Sequence, residues 1–158
     1  MSKYPLPESD QIKTLLHSIL ASPVEVKNAS SIDASSLQVA AAYATDDGDI
    51  GAVCLCDLGA ANYLGAALTL IPPAVAGENA KAGRVDGPIL ENLHEVLNIC
   101  VSLFASPHLP RLFLRDVAVS GRDLPEDVPR ALQEASGRLD VDVEVGRYGS
   151  GQMRFVVT

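Results

Sequence analysis

Basic residues are scarce in this chain. Its 158 residues include 12 Lys and Arg against 20 Asp and Glu, so the formal net charge is −8. Nucleic-acid binding needs a basic footprint, and anionic membrane surfaces attract basic segments. The charge balance therefore predicts neither nucleic acid nor membrane as a partner, and it favours a protein partner that carries a basic patch.

Long apolar runs and a cysteine framework are missing as well. No apolar stretch reaches the roughly 18 residues of a transmembrane helix without a charge or a turn signal. Met1–Pro7 is polar and interrupted by proline, which is unlike a secretory signal. Three cysteines, two of them spaced as Cys54 and Cys56, do not make a disulfide framework. These features predict a cytoplasmic protein with reduced thiols.

The length of the chain suits one domain, 1–158, with a core of its own. Apolar residues at helical spacing predict helices, and alternating ones predict strands. The predicted helices are Pro7–Ala21, Gly59–Leu70 and Gly87–Ser106, with a short helix or loop at Pro73–Ala82 and a helix confined by Pro125 and Pro129 to the second half of Leu124–Gly137. The predicted strands are Val24–Lys27, Leu37–Thr45, Ile50–Leu58, Leu112–Ser120, Leu139–Arg147 and Gln152–Val157. This order predicts an α+β domain with an antiparallel sheet and helices packed on one side. Ser9 and Asp86 are the expected N-caps of the first and the longest helix.

The longest predicted helix carries two stripes. At about 100° per residue, Glu91, Glu95, Asn98 and Ser102 share one face. The apolar stripe consists of Leu90, Leu93, Leu97, Cys100, Val101 and Phe104. The polar stripe has no basic residue, and Asn is a mediocre helix former that is useful mainly when its amide has something to hold.

Two interpretations of the polar stripe are open. It is either a solvated face or a site at which an amide orients a water and a carboxylate docks a cation of a partner. An amide can donate to and accept from one water at once, which is what in-line attack on a phosphoryl group requires. Ile99 and Leu103 lie near this stripe, so they either pack under a neighbouring element or form an exposed apolar contact.

The sequence gives weaker support for a metal site. Cys54 and Cys56 with one of the scattered histidines (His17, His94 or His108) could suggest zinc. No second ligand pair follows at finger-like spacing, so the cysteines are predicted to be small core residues. Cys100 lies on the apolar helix stripe and is predicted to be core too. No metal site is expected.

The long helix resembles that of the CheC/CheX/FliY superfamily of chemotaxis phosphatases. The family pattern is an acidic or Ser residue, three residues, Glu, two residues and Asn, which Glu91, Glu95 and Asn98 match. The preceding hairpin, which contains Gly51–Asp57, and the Ala-rich helix ending near Leu68 are also similar. The resemblance covers Gly48–Phe104, and its single motif is more like CheX than the two-site CheC.

The resemblance implies an antiparallel sheet with two long helices packed on one face, and a phosphatase of a phosphorylated response regulator of CheY type. Asn98 would position the hydrolytic water, and Glu95 would dock the regulator's lysine. Glu91, Ile99 and Ser102 are the expected partner contacts. The regulator would supply Mg²⁺, so no cofactor of the chain's own is expected, and CheX-like proteins often form homodimers. Two positions depart from the family: Ser102 replaces the usual Gly, and Glu91 is longer than the usual Asp or Ser.

Two other functions are compatible with the same residues. One is a non-catalytic binding module on this fold, as in flagellar-switch relatives. The other is an unrelated small acidic protein that resembles a secretion chaperone, for which we expect a dimer with long apolar grooves. Exposure of Asn98 and Glu95 is required for catalysis on a partner, whereas their burial would exclude it.

Overall fold

The computed structural model describes residues 4–119 and 124–158. Its helices are α1 (Ser9–Ile19), α2 (Leu58–Leu68), α3 (Pro73–Lys81), α4 (Gly87–Ile99) and α5 (Asp127–Gln133), with 3₁₀ turns at Ala34–Ser36 and Cys100–Phe104. Its strands are β1 (Val24–Asn28), β2 (Val39–Ala44), β3 (Ile50–Cys56), β4 (Phe113–Val119), β5 (Gly137–Val145) and β6 (Gly149–Val157). Every predicted strand is present. Ser120, the predicted end of one of them, lies outside the described residues, as do Met1–Lys3.

The six strands form one sheet in the order β1-β5-β6-β3-β2-β4, and each neighbouring pair is antiparallel. Because side chains alternate between the faces of a strand, Cys54 and Cys56 point to one face of β3 while Val53 and Leu55 point to the other. The first face carries the main core, which includes residues of α1, α2 and α4. The predicted α+β fold, with its two long helices on one face of an antiparallel sheet, is confirmed.

Helix α5 lies on the opposite face, which corrects the expectation that all helices share one side. Val128 of α5 packs in a second apolar cluster with Val53 and Val156 of the sheet. The predicted confinement of this helix by Pro129 is also wrong, since α5 begins at Asp127. A proline in the first turn of a helix is tolerated because its missing N–H would have no helical acceptor.

The N-cap of α1 is Glu8 rather than the predicted Ser9. The side chain of Gln11 folds back and its Oε1 accepts a hydrogen bond from the Glu8 backbone N–H at 2.8 Å. This reciprocal arrangement is the capping box, in which the third residue of the helix satisfies the N-cap amide.

Helices α2 and α4 pack against each other at close range. A Cβ on Gly65 of α2 would collide with the backbone carbonyl and side chain of Ile89 in α4. Any larger residue at Gly65 would therefore push the two helices apart. This contact sets the distance of α4 from its neighbour.

Helix α4 ends at Ile99 and continues as the 3₁₀ turn Cys100–Phe104, whereas the predicted α-helix ran to Ser106. A change from i+4 to i+3 hydrogen bonding leaves one carbonyl without a helical donor. The hydroxyl of Tyr43 in β2, which is fully buried, donates to the Leu97 carbonyl at 2.6 Å. The ring of Tyr43 also lies 5.5 Å from that of Phe104, centroid to centroid. The sheet thus holds the end of α4.

Among the described residues, every helix is too short or too polar to cross a bilayer.

We expect Leu97→Ala to lower the free energy of unfolding by about 2–5 kcal/mol, because it opens a cavity in a packed core. Leu97 is fully buried. The measurement is urea denaturation of both proteins. Leu70→Ala is the matched control, because Leu70 is 55% exposed and its truncation should stay within about 0.5 kcal/mol. Equal effects of the two changes would mean that α4 is rotated differently.

Tyr43→Phe should lower the free energy of unfolding by about 1–3 kcal/mol, because the Leu97 carbonyl would stay buried without a donor. Tyr148 provides the control, since its half-buried hydroxyl also donates to a carbonyl, that of Ile71, at 2.7 Å. Water can replace that bond, so Tyr148→Phe should change the same free energy by less than about 1 kcal/mol. A Tyr43→Phe protein as stable as the parent would show that the buried bond is dispensable.

Candidate functional site

The packing of α4 against the sheet and α2 leaves its polar stripe exposed to solvent. Ile89, Leu93, Val96 and Leu97 are buried, while Leu90 and Val101 are only partly covered. The apolar face is therefore rotated slightly from the predicted stripe, which omitted Ile89 and Val96. Asp86 is the N-cap as predicted, but its carboxylate makes no capping bond and instead lies 3.6 Å from the Arg84 guanidinium.

Glu91, Glu95 and Asn98 are exposed on the outer face of α4. Within the described part of the chain, none of their three side chains forms a hydrogen bond or an ion pair with another residue. The Asn98 amide is therefore free to donate to and accept from water. His94 is exposed on the same helix, and the two carboxylates give this surface a negative charge that suits a cationic group of a partner.

Ser102 and Ile99 lie at the end of this face, and their side chains differ in what they contact. Ser102 is exposed, and its Oγ donates to the Ile99 carbonyl at 3.1 Å, so the hydroxyl is turned back onto its own turn of helix. The Ile99 side chain is partly exposed and belongs to neither apolar cluster of the described residues. Leu103 instead packs against the main core beside Leu15 of α1. Ile99 is therefore an apolar side chain available for contact next to Asn98.

An apolar depression of about 300 Å³ begins beside Ser102. It lies between the 3₁₀ turn and residues 105–112, and Arg111 lies at its wall. The Arg111 guanidinium is 5.0 Å from the centroid of the Phe113 ring, and the Phe113 side chain is 41% exposed. The acidic face of α4 thus continues into a surface with apolar character and one cation.

Asn92 is a structural residue that the sequence did not single out. Its Nδ2 donates to the Gly65 carbonyl at 2.9 Å and to the Thr69 Oγ1 at 2.8 Å, so it ties α4 to α2. The sequence did contain a hint of this role, because Asn92 is a second asparagine in the middle of the helix, six residues before Asn98. The packing of α2 against α4 is what distinguishes the bonded amide of Asn92 from the free amide of Asn98.

The cysteines take no part in this surface. Cys54, Cys56 and Cys100 are fully buried in the main core, as predicted. Burial raises the pKa of the Cys100 thiol to about 12, and a hydrogen bond to Cys56 together with burial raises that of Cys54. The thiols of Cys54 and Cys100 therefore stay protonated near neutral pH, which makes them poor nucleophiles. Among the described residues, no three His, Cys, Asp or Glu side chains converge on a common point that could hold a metal.

No family model matches this chain, and no curated protein matches it in sequence. Solved structures do match. FliM from H. pylori in its complex with SpeE has a TM-score of 0.65 at 14% identity, covering 94% of this chain and 80% of that one. The H. pylori FliM middle domain alone has a TM-score of 0.63 at 14% identity, and the match covers 94% of this chain and 84% of that one. The FliM middle domain of Vibrio alginolyticus has a TM-score of 0.57 at 13% identity, covering 94% and 87%.

Two members of the superfamily that the long helix resembles match less closely. The CheX–CheY complex with BeF₃ and Mg²⁺ from Borrelia burgdorferi has a TM-score of 0.47 at 12% identity, covering 94% of this chain and 93% of that one. FliY from Thermotoga maritima has a TM-score of 0.44 at 12% identity, covering 95% and 89%. At these identities the likeness to all of these structures concerns the fold alone.

The two asparagines of α4 should respond differently to truncation. We expect Asn92→Ala to lower the free energy of unfolding by about 1–2 kcal/mol, because two hydrogen bonds between helices are lost. Asn98→Ala should change it by less than about 0.5 kcal/mol, as for other exposed positions. Chemical denaturation of both variants measures the difference. A large effect at Asn98 would mean that its amide has a structural partner.

Proposed function

We propose that this protein is a phosphatase of a phosphorylated response regulator of CheY type. The observation that carries the proposal is the pairing of an unpartnered amide, Asn98, with an exposed carboxylate one turn earlier, Glu95, on the outer face of α4. An amide held by the protein itself could not take part in chemistry on another molecule. Burial of this face would have excluded the reaction.

In this proposal each residue has one task. The Asn98 amide accepts one hydrogen bond from a water and donates another to it, which orients the water for in-line attack on the aspartyl phosphate. Glu95 binds the lysine ammonium of the regulator through a charge-assisted hydrogen bond, which places the phosphate beside Asn98. Such chemistry is positioning and electrostatic stabilisation, so no group with a shifted pKa is required.

The surroundings of this pair supply the docking surface. Glu91 extends the negative charge, and Ile99 offers an apolar contact next to the amide. The depression beside Ser102 widens this surface. The regulator would bring the Mg²⁺, so the chain needs no cofactor of its own. A cytoplasmic location follows from such a partner, and a homodimer with α4 left accessible is consistent with the proposal.

A non-catalytic binding module is the second candidate, and the FliM middle domain favours it. FliM from H. pylori is found in complexes with FliG and with SpeE, so that fold binds proteins. The Ser102 hydroxyl, where the phosphatase pattern has Gly, is a departure that also suits this candidate. In that role the face of α4 would dock a partner without hydrolysis. The secretion-chaperone alternative requires neither Asn98 nor Glu95.

The deciding experiment follows the decay of a phosphorylated CheY-type regulator with and without this protein. We expect faster decay with the parent protein and a loss of that acceleration by about a hundredfold or more in Asn98→Ala, the order of effect of removing one oriented hydrogen-bonding group at a reacting centre. Asn28→Ala is the matched control, because Asn28 is also exposed but lies on the edge strand β1, and it should leave the decay rate unchanged.

A binding measurement separates the two candidates. Glu95→Gln should weaken binding of the regulator by about tenfold, because it removes one charge-assisted contact. Binding without any acceleration of decay would favour the binding module. An Asn98→Ala protein that retains full activity would exclude the water-positioning mechanism.

A further inference from the structure

A cavity of about 540 Å³ lies on the face of the sheet opposite to α4. The sheet forms its floor, and Val128 and Leu132 of α5 form one wall. Leu37 closes the side next to the first 3₁₀ turn. The cavity is mostly apolar, and two arginines, Arg138 and Arg154, lie at one end. It is separated from the candidate phosphatase surface by the whole thickness of the sheet and the main core.

Strand register explains why this face is hollow. One cross-strand row of paired residues runs Asp140, Arg154, Leu55, Ala40, Ala118 from β5 to β4. Residues directly opposite each other on neighbouring strands point to the same face. The row therefore passes from a charged pair through one leucine to two adjacent alanines. Because alanine side chains are short, they leave space between this part of the sheet and α5.

Two arginines, Arg154 in the row and Arg138 beside it, lie near the carboxylate of Asp140. Arg154 binds Asp140 with two hydrogen bonds, Nε to Oδ1 at 2.7 Å and Nη2 to Oδ2 at 3.2 Å, and both side chains are shielded from solvent. The Arg138 guanidinium is 3.6 Å from the same carboxylate and its side chain is 60% exposed. Asp142, the next residue on this face of β5, is bound by Gln152 and does not line the cavity.

Two guanidinium groups therefore share one carboxylate at the mouth of an apolar cavity. The charged side chains among the described residues that line the cavity are both cations, Arg138 and Arg154, in a protein of net charge −8. Arg154 and Asp140 already bind each other through two hydrogen bonds. Arg138 is the group that can turn toward a ligand, since its contact with Asp140 is long and exposed.

We propose that this cavity binds a small amphipathic anion. The alkyl or ring body would lie over Ala40, Leu55 and Val156, and a single carboxylate head would bind Arg138. Cavities of roughly 300–1,000 Å³ with mostly apolar walls and a few placed polar groups are typical of small-molecule sites. Guanidinium is also the cation best suited to hold a carboxylate by two parallel hydrogen bonds. The site is independent of the proposed phosphatase.

The test is isothermal titration of the full chain with decanoate below its micelle-forming concentration. We expect saturable binding of one decanoate per chain. Arg138→Gln should weaken it about tenfold, the effect of one charge-assisted contact. Arg84→Gln is the matched control, because Arg84 is also exposed and lies 3.6 Å from an aspartate, and it should bind decanoate like the parent. The neutral analogue 1-decanol should bind the parent and the Arg138→Gln protein equally.

A second pair of variants tests the apolar part. Ala40→Leu should fill the floor and abolish binding, whereas Ala74→Leu, at an exposed position of α3, should not affect it. Thermal unfolding of each variant shows whether it is folded. Absence of saturable binding to the parent would overturn the proposal. So would equal weakening by Arg84→Gln, or full affinity in a folded Ala40→Leu protein. Asn98→Ala should bind decanoate normally, so this result does not depend on the phosphatase test.

Discussion

The buried hydrogen bond from the Tyr43 hydroxyl to the Leu97 carbonyl fixes the position on which the rest of the candidate site depends. It joins the sheet to α4 at the turn where the helix tightens. Because the carbonyl is held there, Leu93, Val96 and Leu97 face inward, and Glu95 and Asn98 must face solvent. Gly65 and Asn92 fix the other side of the same helix against α2. The exposed face of α4 is thus a consequence of contacts made on its buried face.

This arrangement separates stability from the proposed chemistry. Asn92 and Asn98 are the same residue type on the same helix, yet one amide donates two hydrogen bonds to α2 and the other has no partner among the described residues. A group whose bonds are used within the protein cannot also orient a water for a partner. The free amide therefore lies on a surface that is not needed to hold α4 in place.

Periodicity predicted the strands, the long helix and its polar face, because these depend on the chain's local pattern. It could not predict the end of α4 at Ile99, since that depends on a tyrosine hydroxyl from another strand. It placed all helices on one side, because nothing local says which face of a sheet a short helix such as α5 covers. The rotation of α4 that buries Val96 was also missed, since the close approach at Gly65 is a property of two helices together.

The two faces of the sheet differ for a physical reason that bears on function. The face toward α4 is packed with aromatic and branched side chains, and Phe104 lies 6.2 Å from Phe155 between ring centroids. The opposite face has alanines at adjacent register positions, and the short helix α5 covers it together with Leu37 and Leu124. A core filled in this way holds α4 firmly against the sheet, whereas the thinly covered face leaves the cavity for which we propose a ligand.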